Sequence, residues 1–357
     1  MLSSFEWWPN ADFSGFSARM VVLRPTIETW AVPLLWMMGW FFLAPQGLAS
    51  QKPIAIAIHG GAGTILKKNM TPEKEQAYID HLNKSLAIGY EVLEKGGTSL
   101  DAVVATIVFM EDSPLFNAGK GAVFTNKGTH ELDASIMNGA DLSAGCVAGV
   151  SRIKNPILLA RAVLDHSPHV LLSGEGAEQF ARDRGLKMVD PEYFRTERRW
   201  KELQEALDKE RRSQPAPASS KHGTVGVVAL DRHGNLAAGT STGGLTNKKF
   251  GRIGDSPLIG AGTYATNQGC AVSATGQGEY FIRATVARDI SALVEMTGMD
   301  VQRAADKVIK TKLDSIGGTG GVIVLDRSGN VAFSFNTEGM YRGYRRSGAD
   351  PVVAIYR

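Results

Sequence analysis

The sequence is poor in cysteine and in net charge. Its 357 residues include only two cysteines, Cys146 and Cys270, and carry a formal net charge of +3. Two isolated thiols exclude a scaffold held together by disulfides, and both are predicted to be buried core residues. So small a net charge gives no support for nucleic-acid binding. With 43% hydrophobic and 21% charged residues, the composition is typical of a globular protein with a large core.

The sequence also lacks the short motifs of phosphate loops and clustered metal ligands. An apolar run at 54–58 predicts a buried strand, and His59-Gly60-Gly61-Ala62-Gly63 follows it. This glycine-rich stretch has no Lys-Ser/Thr ending and no dinucleotide spacing, so it predicts a tight turn. His130-Glu131-Leu132-Asp133 is followed closely by neither a cysteine nor a second histidine, and it predicts a strand. His166 and His169 are no better as ligands, because they flank Ser-Pro between two helical stretches.

A long apolar run occurs only near the amino terminus. The stretch at 30–49 carries no charge and ends in the small residues Gly47-Leu48-Ala49. We therefore predict that residues 1–49 form a signal peptide cleaved before Ser50, so that the protein is exported to the periplasm or the medium. A membrane anchor is the alternative, because the run is just long enough to span a bilayer. A start at Met20 in place of Met1 would give a signal of ordinary length.

The remaining pattern predicts antiparallel sheets covered by helices, that is, an α+β fold. One hairpin sequence, at 227–235, recurs at 322–330, and each copy has a short glycine-containing turn between apolar runs. Capping residues and apolar periodicity predict the helices. They cover about 72–95, 99–110, 156–165, 173–184, 280–296 and 300–313.

A polar, charged segment precedes the first hairpin. Residues 197–212 are charge-dense and predict at most a helix with little to bury, and 214–220 reads as a Pro/Ser-rich linker. Interspersed acidic residues favour a solvated linker over a basic nucleic-acid arm. The sequence therefore predicts a flexible segment at about 185–223.

Thr224 lies where this segment meets the first strand of the hairpin. If the peptide bond before it were cut, the new α-amino group would lie within reach of the Thr224 hydroxyl. An amine of near-neutral pKa can take the hydroxyl proton, so one residue would supply both nucleophile and base. Gly223 suits a strained peptide, because it has no side chain to crowd the bond. Taken alone, the pattern also fits a structural threonine at a strand start.

Ordered motifs along the chain favour the first interpretation. They are His59-Gly60-Gly61-Ala62-Gly63, Leu115-Phe116-Asn117-Ala118-Gly119, Gly223-Thr224-Val225-Gly226, Thr240-Ser241-Thr242-Gly243-Gly244, Gly251-Arg252-Ile253-Gly254-Asp255-Ser256-Pro257, Gly276-Gln277-Gly278-Glu279 and Asn336-Thr337-Glu338-Gly339-Met340. With these motifs the chain resembles the isoaspartyl peptidase/plant-type L-asparaginase family of N-terminal-nucleophile hydrolases from about 54 to 357. One stretch before the nucleophile matches poorly. The resemblance implies a four-layer αββα sandwich in one domain.

The resemblance also implies self-cleavage between Gly223 and Thr224. Residues 50–223 would form an α subunit with a flexible end at about 185–223, and residues 224–357 a β subunit of the same folded domain. The amino-terminal threonine would then hydrolyse L-asparagine and β-aspartyl dipeptides through an acyl-enzyme. The implied site residues are Thr242 and Asn117 beside the nucleophile, Thr275 and Gly276 at the oxyanion site, and Arg252, Asp255 and Gly278 around the substrate's α-carboxylate and α-ammonium groups.

By the same resemblance, a structural sodium ion is expected in the loop at 110–120, and no catalytic cofactor. Main-chain carbonyl oxygens suit such a hard cation. The implied positions are Met110, Glu111, Ser113, Phe116, Ala118 and Lys120. A homodimer of cleaved αβ units, a heterotetramer of subunits, is also implied.

Two other functions stay open from the sequence. Glycosylasparaginase is a sibling with the same chemistry, but its motif has an aspartate where this chain has Gly223. A non-catalytic secreted binding protein would be indicated by a chain that stays intact. The sequence does not set the balance between asparaginase and isoaspartyl dipeptidase activity.

Overall fold

A computed structural model describes residues 52–212 and 223–357. The predicted signal peptide at 1–49, its cleavage point and the linker at 214–220 lie outside the described residues. The strands are β1 (Ala55–Gly63), β2 (Leu132–Asn138), β3 (Ala144–Val150), β4 (Leu171–Ser173), β5 (Val225–Leu230), β6 (Leu236–Thr242), β7 (Thr263–Ala265), β8 (Cys270–Gly276), β9 (Gly320–Asp326), β10 (Val331–Phe335), β11 (Gly339–Arg346) and β12 (Val352–Tyr356). The helices are α1 (Pro72–Glu94), α2 (Ser99–Glu111), α3 (Pro156–His166), α4 (Gly174–Asp183), α5 (Glu197–Arg211), α6 (Gly278–Ala284), α7 (Val286–Thr297) and α8 (Val301–Lys307).

The strands form two sheets. The larger has the order β12-β11-β1-β5-β6-β2-β3-β4, and the smaller has the order β10-β9-β8-β7. Neighbouring strands are antiparallel except for β3 and β4, which are parallel. Both predicted hairpins are present, β5–β6 in the large sheet and β9–β10 in the small one.

Alternating side chains on these strands build three buried clusters. On β1, Ile56 and Ile58 face helices α1 to α3, whereas Ala55 and Ala57 pack against the small sheet. A third cluster fills the space between the small sheet and helices α6 to α8. Small residues on the inner face let the two sheets approach closely, and the order of layers is helix, sheet, sheet, helix. The predicted α+β, four-layer αββα sandwich is confirmed.

Helix starts follow their local capping signals. The Thr71 hydroxyl accepts a hydrogen bond from the Lys74 amide at the start of α1, and Pro72 takes the first helical position. Thr98 and Asp101 form a reciprocal capping box at the start of α2. Within the described residues, no helix is both long and apolar enough to cross a membrane.

The glycine-rich stretch after His59 is not a separate turn, contrary to the prediction. Strand β1 continues to Gly63, with a bulge in its pairing between His59 and Ala62. Gly61 and Gly63 have φ values of 109° and 151°, which let the strand bulge without ending. The bulge keeps His59 in the sheet, facing strand β5.

Two other stretches differ from their predictions. The helix predicted at 280–296 is broken at Thr285, which has φ 47° and separates α6 from α7. The segment predicted to be flexible at 185–223 contains α5, which buries Arg199 and Leu203, so regular structure extends well into it. These two side chains pack against the rest of the domain, which the charge-dense sequence did not indicate.

Candidate active site

The predicted nucleophile lies beside a second threonine at the end of the first hairpin. Val225 pairs with Ser241, and this register places Thr224 opposite Thr242. Their hydroxyl oxygens are 3.0 Å apart, and the Gly244 amide donates to the Thr242 hydroxyl at 3.0 Å. Thr224 is buried, with 7% of its surface exposed. The Thr224 hydroxyl is therefore held by Thr242 at the end of two central strands of the large sheet.

The peptide bond before Thr224 is held by the predicted residue Asn117. The Asn117 amide donates to the Gly223 carbonyl oxygen at 2.9 Å. A Cβ atom on Gly223 would lie 2.8 Å from the Cβ of Asn117, so only glycine permits this approach. The Asn117 side chain donates to the Gly244 carbonyl at 2.7 Å and accepts from the Val123 amide at 2.9 Å. Its side chain therefore fixes two loops, while its backbone polarises the bond.

A buried histidine holds the other side of the nucleophile. His59 Nδ1 lies 3.1 Å from the Thr224 carbonyl oxygen, and His59 Nε2 lies 3.0 Å from Ser273 Oγ. Because a carbonyl oxygen can only accept, Nδ1 carries the proton and Nε2 accepts from the Ser273 hydroxyl. Burial lowers the pKa of His59 to about 3, so the ring is neutral at physiological pH. Ser273 Oγ also lies 2.7 Å from Thr240 Oγ1, within hydrogen-bonding distance. These contacts form a buried chain of polar side chains between the sheets.

The predicted oxyanion residues lie at the end of β8. Thr275 follows Ser273 by two positions and therefore points to the same face of the small sheet, toward β5. Its hydroxyl is buried and has no hydrogen-bond partner among the described residues. Gly276 pairs with Gly320 of β9. A buried hydroxyl without a partner is uncommon. This one could donate a hydrogen bond to a substrate oxygen that becomes negative during a reaction.

The predicted substrate clamp is brought together, but Arg252 and Asp255 do not form a surface ion pair. Arg252 binds Glu279 through two hydrogen bonds, Nε to Oε1 at 2.8 Å and Nη2 to Oε2 at 3.0 Å. Asp255 is buried, and its Oδ2 atom has no hydrogen-bond partner in the described part of the chain. Burial raises the pKa of Asp255 to about 7. A Cβ atom on Gly278 would lie 2.7 Å from Arg252 Nη2 and 2.8 Å from Asp255 Oδ1, so this glycine leaves room between the two charges.

The loop after α2 folds back on itself around two glycines. Gly119 has φ 51°, and a Cβ there would collide with the Glu111 carbonyl oxygen; a Cβ on Gly121 would collide with that of Phe116. The main-chain oxygens of Glu111 and Phe116 therefore lie close against the two glycines of one turn. In the described residues, no cluster of three or more His, Cys, Asp or Glu side chains could hold a metal ion.

Ser273 and Arg199 were not among the predicted site residues. The resemblance implied that the stretch at 59–63 lies beside the active site, but it gave His59 no role. Ser273 and the protonation state of His59 depend on contacts across 214 and 165 residues, for which the sequence carries no local signal. Arg199 was assigned to a solvated helix, yet it is buried and donates to the Gly121 carbonyl at 2.8 Å. Its place beside Gly223 could not be read from a charge-dense stretch.

A four-layer sandwich with a threonine at the start of a central strand defines the class of N-terminal-nucleophile hydrolases. The family model described as Asparaginase matches residues 51–355, and the chain belongs to this family. An isoaspartyl peptidase of Escherichia coli is 51% identical over 307 residues, which are 85% of this chain and 96% of that protein. A plant-type L-asparaginase of Pyrococcus horikoshii is 42% identical over 313 residues, 84% of this chain and 99% of that protein. An isoaspartyl peptidase/L-asparaginase of Rattus norvegicus is 41% identical over 288 residues, 80% of this chain and 84% of that protein.

Proposed function

We propose that this chain is a self-cleaving amidohydrolase that hydrolyses isoaspartyl dipeptides and L-asparagine through Thr224. The family and its named relatives support the activity. The observation that carries the assignment to Thr224 is its hydroxyl pair with Thr242, next to a glycine carbonyl that the Asn117 amide holds.

Self-cleavage begins when the Thr224 hydroxyl attacks the Gly223 carbonyl carbon. The Asn117 amide already donates to that carbonyl oxygen, so it stabilises the negative charge that develops there. The bond from the Gly223 carbonyl carbon to the Thr224 nitrogen breaks, and an ester to the hydroxyl forms. Water hydrolyses the ester and leaves a carboxylate on Gly223 and a free amine on Thr224.

In turnover, the free amine of Thr224 takes the proton from its own hydroxyl as the oxygen attacks the side-chain carbonyl of the substrate. The Thr275 hydroxyl and the Gly276 amide donate to the developing oxyanion. Asp255 binds the substrate's α-ammonium, and the guanidinium of Arg252 binds its α-carboxylate. The leaving nitrogen departs with the proton from the Thr224 amine, and water then releases aspartate.

We also propose that a sodium ion stabilises the loop at 110–120. The close approach of the Glu111 carbonyl oxygen to Gly119 and of the Phe116 carbonyl oxygen to Gly121 supports this. Main-chain carbonyls of Met110, Glu111, Ser113, Phe116, Ala118 and Lys120 would hold the ion. Its role is to fix the loop that carries Asn117, and it takes part in no chemical step. Thermal unfolding that is insensitive to replacing sodium with a large organic cation would contradict this.

Assembly and location are proposals on the same footing. We infer a homodimer of cleaved αβ units, since closed two-fold assemblies are the commonest oligomers. We infer export by the signal peptide at 1–49, with a membrane anchor as the alternative. Native mass measurement and cell fractionation test these two statements, and a single αβ unit or activity resistant to alkaline washing of membranes would overturn them.

The assignment of Thr224 is tested by mass spectrometry of the purified protein. The wild type should give one fragment ending at Gly223 and one beginning at Thr224. Thr224→Ala should give a single uncut chain without amidohydrolase activity, whereas Thr224→Ser should still cleave. If the alanine variant splits at the same bond, an external protease makes the cut and Thr224 is not the nucleophile.

A further inference from the structure

A cavity with an excess of positive charge lies next to the bond that is cleaved. Its charged lining groups are Lys74, Arg198, Arg199 and Glu202, and Gly223 also lines it. Among the described residues that line it, none is Thr275, Arg252 or Asp255. The cavity is therefore separate from the site proposed for the aspartyl part of the substrate.

The chemistry of Thr224 fixes which part of a substrate extends toward this cavity. The leaving nitrogen must receive its proton from the Thr224 amine, so it must lie beside that amine. In the uncut chain, the Thr224 nitrogen is bonded to the carbonyl carbon of Gly223. Because Gly223 also lines the cavity, a leaving group that lies beside the Thr224 amine is next to the cavity.

Arg199 is the built part of this cavity. Its side chain is 6% exposed, and it is held by bonds from Nε to the Gly121 carbonyl and from Nη1 to Glu202, both at 2.8 Å. Its third nitrogen, Nη2, lies 3.5 Å from the position of a Cβ on Gly223. The guanidinium is thus fixed in orientation, with one nitrogen directed toward Gly223.

Arg198 adds a second cation. It donates to the Tyr78 hydroxyl at 3.2 Å and to the carbonyls of Pro114 and Leu115 at 2.9 and 3.0 Å. These partners are neutral, so the positive charge of Arg198 is not cancelled by them. With Lys74 at the rim, three cations face one carboxylate, that of Glu202.

We propose that this cavity binds the α-carboxylate of the amino acid that leaves from an isoaspartyl dipeptide, with Arg199 as its principal partner and Arg198 as the second. L-Asparagine has no such group, since its leaving group is ammonia. The cavity therefore distinguishes dipeptides from asparagine. This inference rests on the proposed function. The other carboxylate that could occupy the cavity is the one that cleavage leaves on Gly223.

The test compares β-Asp-Leu with β-Asp-Leu amide, which lacks the leaving carboxylate but keeps the scissile bond. The wild type should have the higher kcat/KM for the free acid. Arg199→Gln should lower the acid-to-amide ratio of kcat/KM by about 10- to 100-fold, as expected for loss of hydrogen bonds to a charged group. Most of the change should be in KM. The ratio cancels any general loss of active enzyme.

The matched control is Arg211→Gln, which removes one positive charge from the same helix at an exposed position outside the cavity. It should leave the ratio unchanged. If Arg199→Gln does not cleave itself, Arg198→Gln provides the second variant and should lower the ratio in the same direction.

Three outcomes would overturn the inference. A wild-type ratio near one would show that the leaving carboxylate is not recognised. An unchanged ratio in both arginine variants, with a loss of thermal stability confined to cleaved protein, would assign the cavity to the Gly223 carboxylate. Absence of hydrolysis of either compound by fully cleaved wild type would instead reject the proposed function itself.

Discussion

The two hairpins have nearly the same turn but different surroundings. In the first, the Asp231 side chain accepts from the amides of His233 and Asn235 at 2.9 and 3.0 Å. In the second, Asp326 accepts from the amides two and four positions on, at 2.8 and 2.9 Å. The glycine of each turn has φ 81°. At their turns the repeated sequences therefore form the same local structure.

The other ends of the hairpins carry matching threonines with different partners. Alignment of the repeats places Thr319 where the first has Thr224, and the registers place Thr337 where the first has Thr242. The first two hydroxyls contact each other at 3.0 Å, whereas the Thr337 hydroxyl donates to the Gly339 carbonyl at 3.0 Å. Within the described part of the chain, no hydrogen bond joins the Thr319 and Thr337 hydroxyls.

This difference shows that the hairpin sequence does not by itself make a nucleophile. The first hairpin adjoins β1, which brings His59 to the Thr224 carbonyl, and Gly223 just before it lies against Asn117. The second hairpin adjoins β8, and the Thr319 carbonyl accepts from the Gln277 amide at 2.9 Å. The second hairpin therefore supports the end of β8, which carries the predicted oxyanion residues Thr275 and Gly276. The first hairpin carries the predicted nucleophile.

Removing one hydroxyl from each pair gives the largest expected contrast. Thr242→Val should lower both self-cleavage and turnover by roughly 10³-fold, because both reactions lose the hydroxyl that binds and orients the nucleophile. Thr337→Val, its matched control, should cleave and turn over like the wild type. Timed gels and steady-state rates on β-Asp-Leu measure the two effects. Equal losses in both variants would mean that the hairpins depend on these hydroxyls only for folding.

The second hairpin supports the oxyanion site and does not carry the nucleophile, so a smaller loss of activity is expected at Thr275. Thr275→Val should lower kcat by about 10²–10³-fold, because one oxyanion donor is lost. Its thermal stability should not fall, since the hydroxyl has no partner to lose among the described residues. A variant that loses stability and activity together would show that the hydroxyl is structural.

The segment after β8 places Gly278 beside Asp255. The raised pKa of Asp255 predicts that substrate binding depends on pH. In the free enzyme the pKa of Asp255 is raised to about 7, so the carboxyl group is neutral below that pH and ionised above it. Only the ionised form pairs with the substrate ammonium. We expect protonation of Asp255 to raise KM roughly tenfold per pH unit below about 7.

The Thr224 amine also titrates near neutrality, and it is needed at every substrate concentration. Its protonation should therefore lower kcat, so comparing the profiles of kcat and kcat/KM separates the two groups. A constant KM from pH 5 to 8 would remove Asp255 from ammonium binding.

Local features of this fold could be predicted from the sequence, and contacts between distant segments could not. Thr71-Pro72 and the repeated Asp-x-x-Gly-Asn turns act within a few residues, so their patterns identify helix starts and hairpins. The position of His59 depends on a bulge in β1 and on packing between two sheets. Helix α5 looked solvated because its charges are dense, yet Arg199 is buried against a loop 78 residues away.

The candidate site divides in the same way. Thr224 and Gly223 could be singled out because a glycine followed by a threonine, where a polar segment meets a strand, suits self-cleavage. The family resemblance supplied Thr275 and Asp255, but the unpartnered atoms of both are visible only in three dimensions. That Arg252 binds Glu279, 27 residues on, also follows from folding and not from the spacing of the motif.

The smallest contrast concerns the two turns, where a difference in stability is expected without a change in activity. Asp231 is buried, and besides its turn it accepts from the amide of Ser99, the first residue of α2, at 3.0 Å. Among the residues that the structure describes, Oδ2 of Asp326 accepts only from the side chain of Asn330, at 2.8 Å, in an exposed setting. Asp231→Ala should therefore lower the free energy of unfolding by about 2–3 kcal/mol and Asp326→Ala by about 1 kcal/mol, because the first also removes a buried helix cap.

Urea denaturation in the uncleaved Thr224→Ala background measures this on one continuous chain, and equal m-values keep the comparison valid. Both turns lie at the far ends of their hairpins from Thr224, so in the cleaved enzyme neither change should alter kcat/KM. Equal destabilisation by the two substitutions would show that the bond to α2 contributes nothing, and that the hairpins differ only at their active-site ends.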